Sequence, residues 1–151
     1  MDETHIKMAG QWKYLYRAVD RTGDTVDFLL TAKRDMAAAR RFLRRAINLH
    51  DLPKKITFDK SGANTAAIER VKADACAQIQ LRQCKYLNNI VEQDHRAIKR
   101  ITRPMLGLKS FWSARIIIAG IETMHMIRKG QLDCPAGQTM SAADQFYSLA
   151  L

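Results

Sequence analysis

A chain of 151 residues that is 47 % hydrophobic, with 25 Lys and Arg against 15 Asp and Glu, is one ordinary domain with enough apolar material for a core, which excludes a disordered chain. Its net charge of +10 asks for a polyanionic partner, and no basic helix carries a spare apolar face, so nucleic acid is favoured over an anionic membrane. No apolar run reaches roughly 18 residues, no secretory leader is visible, and Cys76, Cys84 and Cys134 lack metal-ligand spacing, so a non-exported protein of a reducing cytoplasm is expected.

In chain order, DETHIKM (2–8) reads as a short strand turning at Ala9-Gly10. QWKYLYRAVD (11–20) and TVDFLLTA (25–32) are rich in β-branched and aromatic residues and make a hairpin across Gly23. Trp12, Tyr14 and Tyr16 alternate along the first of these and are expected in the core. From Asp35, an N-cap, the period becomes helical, with a stripe of Met36, Ala39, Leu43, Ala46 and Ile47 and with Arg40, Arg41, Arg44 and Arg45 away from it. Pro53 ends that helix. KITFD (55–59) is a short buried strand with Asp59 at its exit, NTAAIERVKADA (64–75) a helix, and AQIQLRQCKY (77–86) a weaker strand. Helices follow at 89–102 and 110–129. The second is expected to be largely buried through Ile116, Ile117, Ile118, Ile121, Met124 and Ile127, with Gly130 as its C-cap. The tail from Leu132, with Pro and Gly, is expected to be looser. This order predicts a mixed sheet with helices packed on it.

The helix at 89–102 carries the pattern that calls for chemistry. Ile90, Val91, Ala97, Ile98 and Ile101 share one side, while Glu92, Arg96, Lys99 and Arg103 share a narrow arc opposite, with His95 at its edge. A plain account exists: Asn89 and Glu92 form a capping box, and Glu92 with Arg96 is a favourable i,i+4 pair worth about 0.3 kcal/mol. The alternative gives Glu92 a divalent cation to hold, with Asp2 and Asp59 as converging carboxylates and the surrounding cations gripping phosphates. Lys60 and Asn64 follow Asp59 closely enough to line such a site, and His95 either touches nucleic acid or orients Glu92. Asp94 projects from the apolar side and is expected to find a buried partner. His5, His50 and His125 share no ligand spacing and read as structural.

The stretches MDETHIK, GQWKYLYRAVDRTGDTVDFLLTAKRD, TFDKSGAN and RQCKYLNNIVEQDHRAIKR, continued by RPMLGLKSFWSARIIIAGIETMHMIRKGQ, resemble the catalytic core of cointegrate-forming bacterial insertion-sequence DDE transposases, a retroviral-integrase-like group. The resemblance implies an α/β, ribonuclease-H-like fold: a mixed five-stranded sheet, three antiparallel strands then two parallel ones, flanked by helices. It implies a catalytic core over residues 1–131 and a C-terminal tail over 132–151. Carried over by motif, Asp2, Asp59 and Glu92 are the catalytic, metal-holding carboxylates for two Mg²⁺ ions, and Lys99 is a DNA contact near the cleaved phosphate. Arg96, Arg100 and Arg103 lie on or near the same face and join Lys99 as expected phosphate contacts. The implied activity is metal-dependent DNA cleavage and strand transfer on transposon ends and target DNA, by a homo-oligomer in the nucleoid-associated bacterial cytoplasm, without a membrane. A non-catalytic DNA-binding regulator of an intact transposase and a ribonuclease-H-type nuclease are the alternatives. Relatives carry a helix-turn-helix region ahead of the core, whereas only Met1 precedes Asp2 here. The expectation is therefore an N-terminally truncated first strand and a chain inactive alone.

Overall fold

In a computed structural model, residues 1–58, 62–75, 78–84, 89–132 and 140–149 are described, with the side chains of Ala63, Ala75, Asn89, Ile90, Val91 and Asp94 outside that description. Strands β1 (Asp2–Met8), β2 (Gln11–Val19) and β3 (Thr25–Thr31) form an antiparallel sheet in that order. Ala9 and Gly10 both have positive φ, 45° and 79°, as a two-residue hairpin turn matched to the strand twist requires. That turn sets the register from Met8↔Gln11 to Asp2↔Arg17. Strand alternation then sends Asp2, Thr4, Ile6, Leu15 and Arg17 to one face, and Glu3, His5, Lys7, Trp12, Tyr14 and Tyr16 to the other.

Helix α1 (Met36–His50) starts where the Asp35 carboxylate accepts the Ala38 N–H at 2.8 Å, and it covers the face holding Tyr16. Its buried stripe is Ala38, Ala39, Phe42, Leu43 and Ala46. Met36, expected in that stripe, is 47 % exposed. Strand β4 (Lys55–Phe58), helix α2 (Gly62–Ala75) and strand β5 (Gln80–Gln83) form a parallel crossover unit. Asp74 on α2 accepts from Arg40 at 2.5 Å and from Arg44 at 2.8 Å, tying α2 to α1.

The expected five-stranded sheet is corrected by the observed pairing: β1-β2-β3 and β4-β5 are separate sheets of three and two strands. A ladder needs consecutive residues of two strands side by side. Between β1 and β4 the contact described is one hydrogen bond, from the Met1 amino group to Thr57 O at 2.6 Å. Side chains join the two halves instead: Met1 and Tyr16 pack with Phe42, Ile56, Phe58 and Ile68 in one apolar cluster.

Helix α3 (Asn89–Thr102) runs into a 3₁₀ turn (Arg103–Met105). Residues 106–108 then lie along β1, where Leu108 N–H donates to Lys7 O at 3.3 Å and Ala9 N–H to Leu108 O at 2.8 Å. Helix α4 (Phe111–Arg128) is capped by Ser110, whose side chain accepts the Ser113 N–H at 3.1 Å. It ends at Lys129 before Gly130, which has φ 70°. Ile6, Leu15, Leu30, Ile98, Leu108 and Ile118 form a second cluster, under α3 and α4. Beside it the Arg17 guanidinium donates to Glu122 Oε2 at 2.6 Å and to Thr25 Oγ1 at 3.1 Å, and both members of the ion pair are fully buried. α4 is not buried all round, since Ile116 is 56 % exposed. The tail holds a further short helix, α5 (Ala142–Ser148), opened by a capping box of Ser141 and Asp144. Among the described residues no helix is long and apolar enough to cross a membrane.

Candidate active site

Asp2 is the first residue of β1 and points to the face covered by α3. Its Oδ1 accepts the Glu3 N–H at 2.8 Å, and its Oδ2 lies 3.7 Å from Nε2 of His95. The Asp2 side chain keeps 18 % exposure and that of His95 keeps 7 %, so the carboxylate is sheltered and still reachable. His95, expected to touch nucleic acid or orient Glu92, faces Asp2, because α3 turns that side of the helix onto the start of β1.

Glu92 sits in the first turn of α3, three residues before His95, and is exposed. The expected capping partner, Asn89, has its side chain outside the described residues, as does Asp94. Asp59 and Lys60 also lie outside them, directly after Phe58. The Met1–Thr57 hydrogen bond places the start of β1 beside the end of β4, so the backbone brings Asp2 next to the strand that Asp59 follows. Among the described residues no three His, Cys, Asp or Glu side chains converge as a metal cluster. Asn64 is buried, 2 % exposed, in the first turn of α2.

The basic residues of α3 and those of α1 differ in how they are engaged. On α3 and the turn after it, Arg96, Arg100 and Arg103 are exposed and Lys99 is half-buried. Lys99 and Arg103 line a groove of about 440 Å³ with His5, Lys7, Trp12 and Leu106. On α1, Arg40 and Arg44 are engaged by Asp74, and Arg45 by Asp27 at 2.6 Å. The α3 cations are thus the ones presented beside Glu92. His5 packs edge-on against Tyr14 and Trp12, with centroids 5.1 and 6.2 Å apart, which fits the structural role expected of it.

Two burial effects shift nearby groups. Desolvation drives the Met1 amino group down from 8.0 to about 6, against the pull of the Asp2 charge. Tyr16 is pushed up to about 12 by burial first and then by the Glu3 carboxylate, with which it shares a strand pairing. Glu3 in turn is ion-paired with Arg34. Sequence patterning points to neither the Arg17–Glu122 pair nor the Glu3–Tyr16–Arg34 group. The two-residue turn at Ala9-Gly10 is the available signal, since it alone sets Asp2 opposite Arg17 and Glu3 opposite Tyr16.

A family model described as a DDE domain matches residues 1–131. The transposase for the insertion sequence-like element IS431mec of Staphylococcus aureus strain Mu50 is 39 % identical over 131 residues, covering 85 % of this chain and 57 % of that protein. The transposase for insertion sequence element IS257 in transposon Tn4003 of Staphylococcus aureus gives the same figures, 39 % identity over 131 residues, 85 % and 57 %. The chain therefore spans little more than half the length of these curated relatives. Among solved structures, a chain of the simian T-cell lymphotropic virus intasome in complex with the PP2A regulatory subunit B56 gamma superposes with a TM-score of 0.57 at 16 % identity, over 94 % of this chain and 51 % of that one. That likeness concerns the α/β fold, and the sequence matches carry the kinship. Since the matched region runs from β1 through α4 and includes Asp2, Asp59 and Glu92, the chain belongs to the DDE-domain family of bacterial insertion-sequence transposases.

Proposed function

We propose that this domain cleaves and joins DNA ends by metal-dependent phosphoryl transfer, with Asp2, Asp59 and Glu92 as its carboxylates on a ribonuclease-H-like scaffold. The observation that carries this reading is the approach of β1 to α3: Asp2 faces His95, three residues after Glu92, at the strand end beside the exit of β4. The donor set fits a hard cation, because carboxylate oxygens suit Mg²⁺, and Asp2 and Glu92 are both accessible. Asp2, Asp59 and Glu92 would hold the metal; when bound, such ions lower the pKa of an attacking water and stabilise the leaving oxygen.

The chain's own residues do the rest. His95 holds the Asp2 carboxylate in place. Lys99, Arg96, Arg100 and Arg103 neutralise phosphates along the α3 face and set the register of the DNA without reading its sequence. Cleavage is an in-line displacement at phosphorus in which water enters and the 3′ oxygen leaves. Joining repeats it, with the freed 3′-OH entering and a target 3′ oxygen leaving, so no covalent enzyme intermediate is needed. The partners are transposon-end and target DNA, the working form is a homo-oligomer, and the setting is the bacterial nucleoid. The test is oligonucleotide cleavage and strand transfer with Mg²⁺ by a full-length transposase that carries this domain. Asp59→Ala is expected to abolish both, and undiminished joining by that variant overturns the assignment. Cleavage of a hybrid duplex without joining would replace the transposase reading by a nuclease one.

A further inference from the structure

We propose that the groove between the edge of β1 and the C-terminal end of α3 receives an unpaired nucleotide, with its base stacked on Trp12 and its phosphates held by Lys7, Lys99 and Arg103. This rests on the DNA-handling reading above and adds to it a single-strand subsite at the end of the same α3 face. Trp12 lies opposite Lys7 in the β1–β2 register and is 58 % exposed. An indole left this open is a large apolar surface that the described residues do not cover. The strand alternation that buries Tyr16 continues to Trp12, but α1 does not reach that far. The His5 ring meets Trp12 at 87°, not stacked on it.

The walls supply the complementary charge. Lys7, Lys99 and Arg103 line the groove, and among the described residues no carboxylate joins them there. Its volume of about 440 Å³ lies within the roughly 300–1,000 Å³ usual for small-ligand sites. Its floor is Ile6 and Leu108, held by the hydrogen bonds of Leu108 N–H to Lys7 O at 3.3 Å and Ala9 N–H to Leu108 O at 2.8 Å. Gly107 completes that loop at φ 100°, a conformation that side-chain-bearing residues rarely adopt. The groove is therefore preformed. An open aromatic with cations and no acid is the combination that binds single-stranded nucleic acid, where bases stack and backbone phosphates find charge. A base inside a duplex cannot reach the indole face, so the nucleotide must be unpaired. Lys99 and Arg103 follow Glu92 by seven and eleven residues on one helical stripe, so the groove continues the face on which Glu92 lies.

The experiment uses Trp112→Phe, which leaves Trp12 as the sole tryptophan of the two in the chain. Its fluorescence is followed without added metal during titration with a short oligothymidylate, the same backbone made abasic, and a blunt duplex. Oligothymidylate is expected to quench Trp12, and the abasic strand is not. Trp12→Ala should weaken oligothymidylate binding about tenfold, leave duplex binding and the salt slope unchanged, and be rescued by Trp12→Phe. Equal affinity for base-bearing and abasic strands, or a silent Trp12→Ala, overturns the proposal. Because neither metal nor joining enters the readout, a failed Asp59→Ala test would leave this result intact. Conversely, joining without Trp12 quenching would sink only the subsite.

Discussion

Nε2 of His95 on α3 stands 3.7 Å from Oδ2 of Asp2 on β1. That separation is longer than a direct hydrogen bond. The pair nevertheless bridges the strand and the helix that carry two of the three proposed carboxylates. Groups that orient a ligating carboxylate typically contribute about 10–100-fold to metal affinity or activity. His95→Ala is therefore expected to lower turnover by roughly that factor while leaving the KM for DNA unchanged, with partial recovery at raised Mg²⁺. Equal turnover across a Mg²⁺ titration would show that His95 only fills space.

The Arg17–Glu122 pair makes a different prediction. Both side chains are fully buried, and Arg17 also serves Thr25. Removing one partner takes the counter-ion from the other charge in a low dielectric, which costs about 3–5 kcal/mol, whereas apolar replacement of both is often neutral or stabilising. Glu122→Ala should lose about 3–5 kcal/mol in urea unfolding, and Arg17→Met with Glu122→Leu should recover most of it. A double variant as unstable as the single one would mean that the pair itself, and not the loss of a counter-ion, matters.

The two arginine-rich helices can be told apart by salt. Arg40 and Arg44 are occupied by Asp74, while the cations of α3 stand beside Glu92. Neutralising Lys99 and Arg103 together should flatten the slope of log K against log salt by about 0.9 for each phosphate they would otherwise neutralise. Neutralising Arg40 and Arg44 should leave it unchanged. The reverse pattern would move the DNA to α1.

Stability should also report the Met1 amino group. Burial lowers it from 8.0 to about 6, so between these values the unfolded chain holds the proton and the folded chain does not. Stability then rises with pH across that window, is fully present above about 8, and is lost as pH falls through about 6. The shift of 8.0 to about 6 corresponds to about 3 kcal/mol. For the polypeptide beginning at Met1, urea unfolding at both ends of the window should show this rise. Nα-acetylation, which keeps an N–H for Thr57 but removes the titration, should flatten it. A slope that survives acetylation would show that the Met1 amino group is not its source.

Which parts of this are legible in the sequence depends on what each pattern measures. Period and turn chemistry mark where elements begin and end, and so β1 to β3, α1, α3 and α4 fall close to expectation. Alternation along β2 reports which face Trp12 shares with Tyr16. It cannot report how far the covering helix extends, so Trp12 is expected in the core and emerges 58 % exposed. The helical arc around Glu92 puts His95 at its edge, but only the approach of β1 makes Asp2 its neighbour. A whole sheet is expected when neighbouring strands of a resembling fold are taken to pair, and one hydrogen bond between β1 and β4 is not a ladder. The short α5 escapes notice although Ser141 and Asp144 spell its capping box, because the preceding Pro and Gly outweigh it.

The junction between β1 and β4 has a mechanical consequence. With a single described backbone bond across it, the alignment of the two sheets rests on side-chain packing and not on a strand pair. What keeps the start of β1 in place over β4 is then the interlocking of Met1, Tyr16, Phe42, Ile56 and Phe58. Truncating fully buried Phe42 would therefore loosen the alignment of Asp2 with α3 as well as the fold, so a residue on the far side of the sheet acts as the tensioner of the site.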